Sequence, residues 1–175
     1  MENRLFTHTA MMLMLAGLIS CQKVNTFQEM IESAIPHDNV TDFFQTHFSG
    51  YINPVYERFF GDNGKDDTCI LINSKEEFEK HISDSSIELP KIDFNLYTLI
   101  VGRHLMPNVT KYVIIEQEIV IKRKRLELNL TIERPDLAFT AVSMFYYWGV
   151  YSKLPQKRVH VNVDVLVNKD LTMDL

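Results

Sequence analysis

The chain has 175 residues, 46% of them hydrophobic, and its 18 Lys+Arg against 23 Asp+Glu give a formal charge of −5. One domain's worth of chain with an ordinary apolar fraction supports a single core and excludes wholesale disorder. A pI near 5.7 argues against a nucleic-acid binder, which needs an excess of phosphate-neutralising cations. Two cysteines are too few for a disulfide framework or a Cys-rich zinc site.

The first element is a targeting signal. Arg4 supplies a sparse positive start, and Ala10–Ile19 is an uncharged, mostly apolar run. It has the length of a signal-peptide core and is short of the roughly 20 residues of a spanning helix. It ends in Leu18-Ile19-Ser20-Cys21, which resembles a bacterial lipobox. The resemblance implies cleavage before Cys21 and acylation of that cysteine, giving a stable membrane anchor because each buried CH₂ contributes about 0.8 kcal/mol. The expected organisation is a signal peptide at 1–20, a lipidated tether with a helical segment at 21–50, and a mainly β domain at 51–175. Three Asn-x-Thr sequons, at Asn39, Asn108 and Asn129, carry no weight in such a protein.

Within the tether, Phe27, Met30 and Ile31 fall at i, i+3, i+4 and predict a helix closed by Pro36, with a further turn or two at 42–48. Residues 55–60 read as a first strand. The segment 61–67 reads as a turn, lacking the spacing and bidentate Glu of a calcium loop. Residues 68–73 form the next predicted strand, with Cys69 inside it as a buried, inert thiol. Ser74 and Glu77 then form a capping box that opens a helix, with Phe78 and Ile82 on its apolar side.

The later chain is β-patterned. Leu126, Leu128, Leu130 and Ile132 alternate with polar residues, as do Val159, Val161, Val163, Val165 and Val167. Such period-2 runs are strands with one buried and one wet face. Tyr112–Ile121 alternates more loosely. Segments 97–105 and 138–151 are apolar on both faces, so both require cover. Short connections at 106–109, 122–125, 134–137 and 152–156 suit hairpins. The predicted fold class is mainly β (α+β): an antiparallel meander sheet, or a partly closed barrel or sandwich, with one to three flanking helices.

Two surfaces stand out. In a meander the turns at 122–125 and 152–156 share an end, which gathers Lys122, Arg123, Lys124, Arg125, Lys153, Lys157 and Arg158. These cations either keep the hairpins soluble or meet anionic headgroups or an acidic partner. On the strand near 145, Tyr147 and Tyr151 share a face with Phe145 and Phe139, while Tyr146 and Trp148 take the other. Tyr146, Trp148 and Tyr151 are the candidates for an aromatic platform that would take sugar rings or a protein, unless a helix covers it. No nucleophile elbow, P-loop or His-Glu-x-x-His occurs. The histidines at 37, 47, 81, 104 and 160 are scattered. No catalytic residue, cofactor or metal site is expected.

Several motifs together resemble the C-terminal domain of the PrcB family, lipoprotein subunits of a bacterial surface protease complex. They are the strand Cys69–Ile72 leading into the helix start Ser74–Phe78, Ile92-Asp93-Phe94 ahead of Leu99-Ile-Val-Gly102, Tyr112 opening a strand, and Lys153-Leu154-Pro155 before the Val159–Val167 run. The glycine-rich turn of that family is here Met106-Pro-Asn-Val-Thr-Lys111, without glycine. The resemblance spans about one hundred residues and implies a mainly β domain that binds or stabilises protein partners without catalysis of its own. The sequence therefore points to a non-enzymatic, lipid-anchored protein of the bacterial cell envelope, with the outer membrane as the expected membrane, acting as an interaction or accessory subunit. The alternative is a small-ligand or glycan-binding module on the aromatic strand.

Overall fold

In a computed structural model, residues 27–48, 60, 68–82 and 87–171 are described. They form β1 (Met30–Ser33), α1 (Asp38–Phe48), β2 (Thr68–Ile72), α2 (Lys75–His81), β3 (Tyr97–Met106), β4 (Val113–Ile121), β5 (Leu126–Arg134), β6 (Ser143–Ser152) and β7 (Val159–Val167). The strands make two sheets, a four-stranded one ordered β1-β4-β5-β7 and a three-stranded one ordered β2-β3-β6. The predicted cleavage and acylation site at Cys21, the strand expected at 55–60 apart from Phe60, and the turn at 61–67 lie outside the described residues.

The strands sort by their hydrophobic pattern. Strands β5 and β7, apolar on alternate residues, lie in the four-stranded sheet, whose outer face is wet. The doubly apolar β3 and β6 lie in the three-stranded sheet, which is covered on both sides. On one side, Leu99, Val101, Ile72 and Val150 pack against Val40, Phe43, Phe44 and Phe78 from the two helices. On the other, Ile100, Met106, Tyr147 and Tyr151 meet Ile119, Leu126, Leu128, Leu130 and Ile132 across the gap between sheets. The four apolar residues of β5 are at most 1% exposed, each contributing about 1.5–3 kcal/mol by leaving water. The class is thus mainly β, in the sandwich form with helices on one flank.

The meander connectivity is realised only in the β4–β5 hairpin. Placing β6 beside β5 would leave one of its apolar faces wet, so the chain crosses over and pairs β6 antiparallel with β3. It then returns to set β7 parallel to β5, Leu126 opposite Val159 through Arg134 opposite Val167. Parallel neighbours need such a crossover.

The N-terminal segment also departs from expectation. Residues 30–33 are a strand paired with β4, Met30 opposite Ile121, and Phe27, Met30 and Ile31 are exposed. Their helical spacing is coincidental, because edge pairing satisfies the backbone without a buried helix face. Pro36 precedes the helix here: α1 starts at Asp38 and buries Val40, Phe43 and Phe44 at i, i+3, i+4. Between β1 and α1 the chain joins the sheets, as Ala34 N–H donates to Gln117 O (3.2 Å) in one and Ile35 N–H donates to Val150 O (2.7 Å) in the other. The start of α2 is capped as expected. Glu77 N–H donates to Ser74 Oγ (3.1 Å), and the Glu77 carboxylate accepts from Asn73 N–H (2.7 Å), one residue ahead of the cap.

Candidate functional site

The antiparallel hairpin and the parallel β5–β7 ladder give the sandwich two distinct ends. One end carries the β4–β5 turn and the start of β7. Leu126 N–H donates to Arg158 O (2.9 Å) and Lys157 Nζ donates to Lys122 O (2.8 Å). Lys122–Arg125, Lys157 and Arg158 are therefore gathered as expected, by parallel pairing in place of a meander. Lys153 sits on the three-stranded side, its ammonium held by the carbonyls of Asn73 and Phe94.

Counter-charges divide this basic group. Glu127 accepts Lys122 Nζ (2.7 Å) and the Arg125 Nε (2.7 Å), and Glu29 lies 3.8 Å from Lys122. The hydrogen bonds from Lys122 and then Arg125 hold the Glu127 carboxyl below its ordinary range. Arg123, Lys124 and Arg158 are exposed and have no ion-pair partner among the described residues. The chain also enters the fold here: the Phe27 ring lies under Lys157 Nζ, 5.4 Å from its centroid.

The opposite end exposes large apolar side chains, with Lys111 and Asp136 beside them in the same loops. Loops 107–112 and 135–142 are tied by mutual bonds between Val109 and Phe139 (3.0 Å each way), by Thr110 Oγ1 donating to Leu137 O and by Ser143 Oγ donating to Asn108 O (2.6 Å). On this fixed platform Leu137, Phe139 and Val142 are 66%, 53% and 66% exposed. Three large apolar side chains within six residues, on loops tied together by these bonds, form an exposed apolar surface that the strand pattern does not predict. The signal is present in Leu137-Ala-Phe-Thr-Ala-Val142, whose first residue falls in the expected connection 134–137 and whose remainder reads as the start of the strand 138–151.

The aromatic platform is not formed. Tyr151 is fully buried between the sheets and accepts a hydrogen bond from Gln117 Nε2 (2.6 Å). Its parity places it opposite Trp148 and Tyr146 across the strand. Trp148 stacks on Phe44 of α1 (centroids 5.2 Å, 17°) and Tyr146 lies 6.1 Å from Phe60. Helix α1 covers the face, as the doubly apolar pattern required. Phe139 belongs to the loop, while Phe145 and Tyr147 face the inter-sheet core. Cys69 lies against that core too; burial pushes its thiol up to about 12, a hydrogen bond with Tyr147 opposing in part.

A cleft of about 850 Å³ opens between α2 and residues 87–94. Phe78, Ile82, Leu89 and Ile92 form its apolar walls, and Lys75, Glu79, Glu88 and Lys91 its charged rim. Among the described residues no group of three or more His, Cys, Asp and Glu side chains converges to hold a metal. No described helix is long and apolar enough to cross a membrane. Compared with known proteins, the chain matches no family model, no curated protein and no solved structure.

Proposed function

We propose that this protein is a non-enzymatic, lipid-anchored envelope protein that acts by protein–protein contact, the accessory-subunit role implied by the PrcB-type resemblance. The observation that supports it is the apolar end formed by Leu137, Phe139 and Val142. Exposed clusters of large apolar side chains on fixed loops mark contact surfaces, because their burial gains free energy with little ordering cost. The experiment is site-specific photocrosslinking in the native membrane, with the crosslinker at Phe139 or Val142 and, as control, at Glu116 on the wet sheet face. One protein captured at both loop positions and not at Glu116 supports this reading. Equal, diffuse labelling at all three positions overturns it.

The cleft beside α2 favours a second reading. Its volume of about 850 Å³ lies in the range of small-molecule pockets, and its apolar walls with a charged rim fit that use. The glycan or small-ligand alternative therefore moves from the aromatic strand to this cleft. Ligand-library screening of wild type against Ile92→Arg distinguishes it: a hit lost in the variant supports ligand binding, and a hit retained in the variant places binding elsewhere.

A further inference from the structure

We infer that the basic end of the sandwich is its membrane-facing surface, seated on anionic lipid headgroups, so that the apolar end points away from the bilayer. This rests on the lipid-anchor reading for the tether and goes beyond it in fixing the domain's orientation. Three observations converge on this end. The chain enters here, with Phe27 under Lys157 and Glu29 beside Lys122. Cys21 precedes Phe27 by only six residues, a span of about 20 Å when fully extended. Arg123, Lys124 and Arg158 are exposed without an ion-pair partner among the described residues, while Glu127 and Glu29 compensate Lys122 and Arg125.

The geometry follows from the strands. Nine-residue β4 and β5 rise about 3.3 Å per residue, which puts the two ends roughly 25–30 Å apart. A tether of about 20 Å is shorter than that separation, so the domain cannot stand inverted, with the far end on the surface and the near end uppermost. Each uncompensated cation near an anionic leaflet improves partitioning about fivefold, within a Debye length and less at high salt.

The test has separable parts. The mass of the N-terminal peptide, from the full chain purified out of bacterial membranes, reports whether Cys21 is acylated; an unmodified Cys21 removes the anchor reading and leaves the surface to be judged by the next two measurements. In vesicles of equal phosphatidylglycerol and phosphatidylcholine with acceptor-labelled headgroups, a donor at His160→Cys, near the start of β7, transfers energy more strongly than one at Val142→Cys, both in a Cys69→Ser chain. Equal or reversed transfer overturns the orientation. A chain starting at Gln22 retains every described strand and helix. Its partitioning onto these vesicles falls on the order of 100-fold with Arg123→Gln, Lys124→Gln and Arg158→Gln combined, at unchanged circular dichroism. An unchanged partition coefficient, or equal binding to pure phosphatidylcholine, overturns the headgroup contact and leaves an acidic protein as the occupant.

Discussion

Gln117 of β4 reaches across the sandwich and donates from Nε2 to the Tyr151 hydroxyl of β6 (2.6 Å). The same amide lies where a Cβ on Gly149 would stand. One polar pair thus links the two sheets across a largely apolar gap. Tyr151→Phe removes a neutral hydrogen bond and is expected to cost about 1 kcal/mol. Gln117→Ala leaves a buried hydroxyl unpartnered and should cost more, about 2 kcal/mol. Urea unfolding midpoints at a constant m-value check the order of the two variants.

Gly102 faces the Tyr147 ring so closely that a Cβ there would overlap it. Tyr147 is 1% exposed in the inter-sheet core. Gly102→Ala is expected to destabilise the fold by about 3 kcal/mol through overpacking. Combining it with Tyr147→Leu should return part of that loss. Equal stability of the single and double variants would show that the ring is not the obstacle.

Thr98 is fully buried. Its hydroxyl donates to Asn73 Oδ1 (2.6 Å) and accepts from Leu154 N–H (2.9 Å), while Asn73 Nδ2 donates to Gln156 Oε1 (2.7 Å). This relay ties the start of α2 to the β6–β7 connection. Thr98→Val keeps the shape and leaves the buried Leu154 N–H and the half-buried Asn73 Oδ1 without this partner, a loss of about 2 kcal/mol. Hydrogen exchange at the Leu154 amide should accelerate more than at strand-centre amides.

Burial raises two acids above their ordinary ranges: the Cys69 thiol to about 12, and the Tyr151 phenol upward as well. Both stay protonated in the fold while the unfolded chain releases these protons nearer pH 9–10. Above about pH 9 the unfolded state therefore binds fewer protons, and stability falls as pH rises. Cys69→Ala should flatten that decline. In a chain starting at Gln22, whose one thiol is Cys69, a thiol reagent at pH 8 should label the native state on the order of 1,000-fold more slowly than the denatured state, following thiolate fraction. Native labelling as fast as denatured labelling would contradict the buried assignment.

Glu127 gives the opposite slope. Its carboxyl is held below the ordinary range by Lys122 and Arg125, so its stabilisation is present above about pH 4.5 and is lost as pH falls through the lower, folded value. Glu127→Gln should reduce the acid-side loss of stability measured by urea unfolding between neutral pH and pH 3. The same substitution uncovers two cations.

What the sequence made legible was the two-periodicity of β5 and β7 and the double-sided apolarity of β3 and β6. Those patterns identify faces, and faces settled the class and the requirement for a covering helix. They do not identify neighbours. A strand's own residues are the same whether it pairs by a hairpin or after a crossover, so a short 134–137 connection suggests β6 beside β5, whereas its buried second face demands the other sheet. The gathering of Lys122–Arg125 with Lys157 and Arg158 was reached through the wrong connection. It survived because a parallel β7 starts at the same end as β5. Parity also separates Tyr151 from Trp148, so a platform using both was excluded by the strand period alone. The short N-terminal strand gives no signal, since its four edge residues, three exposed and Glu32 half-buried, carry no buried face to impose a period.

The β1–β4 ladder is oriented in a way that bears on load. Met30, the entering end of β1, lies opposite Ile121 at the basic end, and the strand runs from there toward the apolar end. A pull on the chain ahead of Phe27 is directed along β1, parallel to the sheet. Antiparallel bonds lie across the strand axis, so such a pull shears the ladder's bonds together, where a pull across the sheet would open them one by one. Ala34 and Ile35, hydrogen-bonded to different sheets, pass the tension into both. A partner held at Leu137, Phe139 and Val142 would draw from the far end of the same strands. The force line between bilayer and partner would then run lengthwise through β4 and β5, the direction in which a sheet resists rupture best.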